Sequence, residues 1–211
     1  MSVAVKICGL QEPLGLKAAT DAQASYVGFV FHKTSRHLIT LADVASLSKL
    51  VPPLIKKTGL FVDARDDEIQ DVLKVADLDL LQLHGNETPQ RVADIRAKTG
   101  KPVMVALRIA TAEHLKALPL YEEVADQLLF DSRSGDAPTG GTGKSFDWNL
   151  LKGRQLTKPW MLAGGLKAGN LSEAVRISGA RQVDVSSGVE DVLGHKNPAK
   201  IREFIALAAQ L

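Results

Sequence analysis

Short apolar runs alternate with longer amphipathic segments along the whole chain. The runs at 3–7, 26–31, 55–62, 80–83, 103–107, 127–130, 159–162 and 182–185 are rich in Val, Ile, Leu and Phe and read as buried strands. Between them, apolar residues recur at helical spacing over 14–24, 41–50, 66–75, 90–99, 111–118, 171–178 and 198–211. The boundaries carry their own signals. Acids open the 66–75 helix, where they suit the positive end of the helix dipole. Thr88-Pro89 is an N-cap followed by proline at the first helical position, and Gly100 stops the same helix. The connection after the sixth run is loop-rich, with only a short helix near 147–151. Eight strands, each followed by a helical or partly helical connection, predict an α/β chain of the (β/α)8 TIM barrel class, in one domain spanning 1–211. An open doubly wound sheet shares this alternation and is the main competitor, because periodicity does not reveal closure.

The polar residues inside the strands change the picture. Residues two apart in a strand share a face. Val3, Val5 and Ile7 therefore face one way, under the helices, and Ala4, Lys6 and Cys8 the other. The same alternation puts Gln82 with His84, Arg108 after Met104 and Ala106, Asp131 after Gln127 and Leu129, and Asp184 with Ser186. A closed barrel turns these faces inward, where an unpartnered charge is costly. Lys6, Asp184 and Arg108 must therefore meet partners or water. An internal ion pair between Lys6 and Asp184 accounts for them as well as a direct role in chemistry does, and Gln82 with His84 reads equally as a satisfied core pair. Cys8 and Asp131 end their strands, at the carboxyl edge where barrels carry their chemistry, and there a functional reading is favoured.

Composition narrows the partners. Apolar residues make up 45% of the 211, and 26 basic against 24 acidic residues leave a net charge of +2 with the signs interspersed. That argues against a nucleic-acid surface, while a local anion site remains open. One cysteine excludes a disulfide framework and a multi-cysteine metal cluster, and no metal motif is present. With no leader-like start and no apolar run near the ~18 residues of a membrane span, a soluble cytoplasmic protein without membrane contact is expected. Trp148 and Trp160 read as packing residues, and His32 and His37 as solvated.

Three glycine or serine clusters fall in the last third: Gly140-Gly141-Thr142-Gly143-Lys144, Ala163-Gly164-Gly165 and Ser186-Ser187-Gly188. The last two follow the seventh and eighth strands, where barrels bind phosphate through backbone N–H groups. The first lacks the spacing of a nucleotide-binding P-loop.

Together these segments resemble the phosphoribosylanthranilate isomerase family of tryptophan biosynthesis. The most specific are Lys6-Ile7-Cys8-Gly9, Gln82-Leu83-His84-Gly85 and Asp184-Val185-Ser186-Ser187-Gly188-Val189-Glu190. The resemblance implies a cofactor-free (β/α)8 enzyme that carries out an Amadori rearrangement of a small phosphorylated aminoaldose, as a monomer or homodimer. It implies Cys8 as general base and Asp131 as general acid. It implies Arg36 on the anthranilate carboxylate, and Gly141, Gly164, Gly165, Ser186, Ser187 and Gly188 around the phosphate. Lys6, Gln82, His84, Arg108 and Asp184 would support them. Gln11 and the segment Lys33-Thr34-Ser35-Arg36 depart from the family's usual residues. The base must be a thiolate and the acid protonated, although ordinary pKa values of roughly 8.5 and 3.9 give the reverse at neutral pH. Lys6 is expected to favour the thiolate, and an apolar wall including Phe130 to keep Asp131 protonated. Another phosphosugar barrel enzyme of tryptophan or histidine synthesis, or a binding module that keeps only the phosphate nest, are the competing readings.

Overall fold

The computed structural model describes residues 2–132, 146–192 and 194–211. Eight parallel strands close into a barrel in sequence order: β1 (Ala4–Cys8), β2 (Tyr26–Val30), β3 (Lys56–Phe61), β4 (Leu80–Leu83), β5 (Val103–Ile109), β6 (Gln127–Ser132), β7 (Trp160–Leu162) and β8 (Gln182–Val185). β8 pairs with β1, in the register Lys6 opposite Asp184, so the open-sheet alternative falls away.

Around the barrel run α1 (Pro13–Asp21), α2 (Leu41–Leu47), α3 (Asp66–Val75), α4 (Pro89–Thr99), α5 (Leu118–Val124), α6 (Ala168–Ser178) and α7 (Pro198–Ala208). Their ends follow local chemistry. Thr88 accepts from the Arg91 N–H at the start of α4, and Gly100 ends it at a φ of 65°. Asn197 caps α7 in the same way, before Pro198. The helix expected over 111–118 is instead a 3-10 turn at Ala112–Leu115 followed by α5. Pro119 is the cause, since proline fits the first turn of a helix and breaks its interior. A short hairpin, β9 (Glu190–Val192) against β10 (His195–Lys196), lies beyond β8 and was not expected.

Side-chain alternation sorts the core into layers. Val3, Val5, Ile7, Val103, Val105, Leu128 and Phe130 belong to the large cluster between sheet and helices. Tyr26, Leu80, Met104, Ala106, Leu129, Met161 and Ala163 fill the barrel. Above them Cys8, Val30 and Leu60 form a smaller apolar group, with Val62 packed against it. Trp148 and Trp160 pack as expected, the latter edge-on to Phe130 with ring centroids 5.6 Å apart. Among the described residues no helix is long and apolar enough to cross a membrane.

Candidate active site

The carboxyl ends of the strands surround a cavity with about 830 Å³ of open space, the solvent at its mouth included. Cys8, Arg36, His84, Arg108, Asp131, Gly164, Gly165, Asp184, Ser186 and Ser187 are on its wall, with Val30, Leu60 and Val62 supplying an apolar side. Lys6 and Gln82 lie fully buried beneath it. Gly188 is off the wall: a Cβ there would lie 1.9 Å from the Leu166 carbonyl oxygen, so this glycine serves the close approach of two loops. Gly141 lies outside the described residues, with the rest of its Gly-Gly-Thr-Gly-Lys segment.

At the first strand, Lys6 Nζ bonds Asp184 Oδ1 at 2.9 Å, across the β1–β8 register. Burial alone would lower the Lys6 pKa, but Asp184 and Cys8 outweigh it and raise the pKa above the ordinary lysine value. For Cys8, burial pushes the thiol up, and the Lys6 ammonium pulls it back only in part. The expected help from Lys6 is present in direction, and desolvation exceeds it. Gly28, opposite Cys8 on β2, makes room for both groups: a Cβ there would lie 3.0 Å from Cys8 Sγ and 3.1 Å from Lys6 Nζ.

Across the mouth, three strands away around the barrel, Asp131 is held at both oxygens. Oδ1 accepts from the Ser132 N–H at 2.8 Å, and Oδ2 meets His84 Nε2 at 3.0 Å. The Gln82 carboxamide N–H donates to His84 Nδ1 at 3.0 Å, which leaves the ring proton on Nε2, directed at Asp131. Arg108 Nη2 donates to the His84 carbonyl at 2.5 Å and fixes the same strand end. The expected Phe130 wall is not there. Adjacent strand residues face opposite ways, so Phe130 packs outward under the helices while Asp131 faces the cavity.

Gly164 and Gly165 have φ angles of 85° and 65°, a region that side chains disfavour. A Cβ on Gly164 would also lie 2.5 Å from the Ser132 nitrogen, so only glycine lets this loop pass beside Asp131. Successive glycines after β7, with Ser186 and Ser187 beside them after the neighbouring β8, give a rim of small groups and backbone donors suited to an oxyanion.

The Arg36 side holds the residues that the sequence did not disclose. His37 is buried, not solvated, because its Nε2 meets Glu190 at 2.7 Å. His32 is half-buried and lines the cavity. Lys196 Nζ bonds Glu190 Oε1 at 2.6 Å. Burial would raise the Glu190 pKa, but His37 and Lys196 hold the carboxyl well below its usual range. Burial lowers Lys196, with Glu190 opposing the shift. Gln11 donates to the carbonyls of Arg36 and Leu38 at 3.2 and 2.9 Å, so this departure from the family's usual residue pins the Arg36 loop. Among the described residues no group of three or more His, Cys, Asp or Glu is arranged to hold a metal ion.

A cavity with a thiol, a carboxyl, an arginine and a glycine-rich rim suits acid–base work on an anionic phosphosugar. Comparison with known proteins settles the family. The model of N-(5'-phosphoribosyl)anthranilate isomerase matches residues 5–206. The chain belongs to this family. Its activity is the isomerisation of N-(5'-phosphoribosyl)anthranilate in tryptophan biosynthesis. The N-(5'-phosphoribosyl)anthranilate isomerase of Paracoccus denitrificans is 52% identical over 210 residues, covering 99% of this chain and 98% of the relative. That of Rhodospirillum centenum is 50% identical over the full length of both chains. A crystal structure of the Thermotoga maritima isomerase superposes with a TM-score of 0.89 at 31% identity, covering 99% of this chain and all of the other. A further crystal structure of a phosphoribosylanthranilate isomerase, in complex with reduced 1-(o-carboxyphenylamino)-1-deoxyribulose 5-phosphate, has a TM-score of 0.86 at 30% identity, with the same coverage.

Proposed function

We propose that Cys8 and Asp131 perform the isomerisation as base and acid, with Arg36 holding the anthranilate carboxylate. The 5-phosphate sits at Gly164, Gly165, Ser186 and Ser187. The observation that carries this reading is their convergence on one cavity from strands and loops far apart in sequence. The substrate enters as a furanose bearing the arylamine at C1. Asp131 gives a proton to the ring oxygen, the C1–O bond breaks with its electron pair on that oxygen, and the nitrogen lone pair closes a C1=N iminium. The iminium is an electron sink, so the C2 proton becomes acidic enough for the Cys8 thiolate to remove. The C2–H pair becomes a C1=C2 bond and the iminium pair returns to nitrogen. The resulting enolamine then gains a proton at C1 and loses one from the C2 hydroxyl, giving the ketose. The sequence balances with one acid and one base.

Val30, Leu60 and Val62 give the aromatic ring an apolar wall beside the base, which supports placing the arylamine on the Arg36 side. Residues 1–211 act as one catalytic domain in the cytoplasm, as a monomer or homodimer; a Thermotoga maritima relative is described as dimeric. The test is loss of substrate fluorescence with freshly prepared phosphoribosylanthranilate. Native protein should convert it, and Arg36→Ala should raise KM by about 10–100-fold with kcat much less affected, the size of one charge-assisted carboxylate contact. Unchanged constants in Arg36→Ala would remove that assignment.

A further inference from the structure

Glu190 lies behind Arg36 with its side chain 4% exposed. Its Oε1 accepts from Lys196 Nζ at 2.6 Å and meets His37 Nε2 at 2.7 Å, and its Oε2 accepts from the Gly194 N–H at 3.0 Å. The same Oε2 is 3.9 Å from Arg36 Nη2. Two cations thus face one buried carboxylate, and they share it unequally. Lys196, itself 4% exposed, is at contact distance and also donates to the carbonyl and hydroxyl of Ser186 at 3.1 Å each. Arg36, 37% exposed, stands at the outer limit of an ion pair and on the cavity wall, whereas Lys196 is not on that wall.

A guanidinium can take a substrate carboxylate bidentately only if an internal carboxylate has not claimed it first. With Lys196 gone, Glu190 would be a buried anion with Arg36 as its nearest strong cation, and such an anion gains much by closing the remaining gap. The Arg36 backbone would stay in place, because Gln11 holds its carbonyl and the His37 ring is packed against Gly9, so the change is a swing of the side chain. We propose that Lys196 is a positioning residue for substrate specificity: by neutralising Glu190, it leaves the Arg36 guanidinium free for the carboxylate of the arylamine. The inference rests on the role given to Arg36 above.

The test measures binding of reduced 1-(o-carboxyphenylamino)-1-deoxyribulose 5-phosphate, and of the same compound with an unsubstituted phenyl ring, by titration calorimetry. The readout is the preference for the carboxylated ligand. Lys196→Met should lose about tenfold or more of that preference; any weakening through Ser186 is common to both ligands, which share the phosphate, and cancels in the ratio. Lys196→Met with Glu190→Gln should regain it to within about threefold, since the competing anion is gone. A preference left intact in Lys196→Met, whether or not both ligands bind more weakly, or no recovery of a lost preference in the double variant would each overturn the proposal. If Lys196→Met does not fold, Glu190→Gln alone decides: the proposal requires a preference at or above the native level, and a loss overturns it. Arg36→Ala in the same titrations separates the two readings, because an intact preference there removes the role of Arg36 itself.

Discussion

Cys8→Ala and Asp131→Ala should each lower turnover by about 10²–10⁴-fold, the usual contribution of a positioned acid or base, and leave the protein folded. Both side chains face the cavity, so neither truncation opens a hole in the packed core. Cys8 belongs to a small apolar group with Val30 and Leu60, and loss of one sulfur there costs about 1 kcal/mol. Loss of the Asp131 carboxylate leaves the Ser132 N–H and His84 Nε2 without their acceptor, about 1–3 kcal/mol that cavity water offsets in part. The pH profile separates the two roles. Burial raises the Cys8 thiol, so at neutral pH the reactive thiolate is a minority and its fraction grows with pH. The native kcat/KM should therefore carry a limb from an ionisation at or above the ordinary thiol range near ~8.5, and the residual rate of Cys8→Ala should lack that limb. A Cys8→Ala turnover within tenfold of native, or a residual rate with the same limb, would remove the thiol from the chemistry.

Much of this site was legible because strands impose a strict period. Lys6, Cys8, Gln82, His84, Arg108, Asp131, Asp184 and Ser186 fall on the inward faces that a two-residue repeat assigns them. Closure then joins Lys6 to Asp184, which strand counting anticipates only if the sheet is a barrel. The same period, applied one residue further, shows why Phe130 cannot wall in Asp131. Loops obey no such rule. His37, Glu190 and Lys196 come from the segment after β2 and from a hairpin of very short strands, and only the folded chain brings them to one carboxylate. Gly28 was obscure for another reason, since its contribution is a missing side chain, and only the neighbouring Sγ and Nζ reveal what the space is for. Pro119 was a legible signal that apolar periodicity overrode, and it moved the helix after β5 by one turn or more.

Lys6→Met should destabilise the fold by about 3 kcal/mol, the lower end for breaking a buried ion pair, measured as a lower urea midpoint at unchanged slope. The low end applies because Asp184, the partner left behind, borders the cavity, where water can reach it. Lys6 has no such access, being fully buried. Asp184 raises the folded-state pKa of Lys6 against the opposing effect of burial. The folded protein therefore holds this proton more tightly than the unfolded chain. That linked stabilisation is complete below the ordinary lysine value near ~10.4 and is lost only as the pH rises past it. The difference between Lys6→Met and native should accordingly stay level through neutral pH and shrink in strong alkali. Lys6→Met with Asp184→Asn removes both charges and should recover most of the lost stability; additive losses instead would mean that the two groups do not depend on each other. The recovered double variant then isolates the effect on the thiol. Without the Lys6 ammonium, burial acts on Cys8 with less opposition, although loss of the Asp184 charge, a weaker influence that raises the thiol, works the other way. The alkaline limb of kcat/KM should therefore move to still higher pH while the protein stays folded. A limb in the native position would show that Lys6 holds the barrel together and leaves the base untouched.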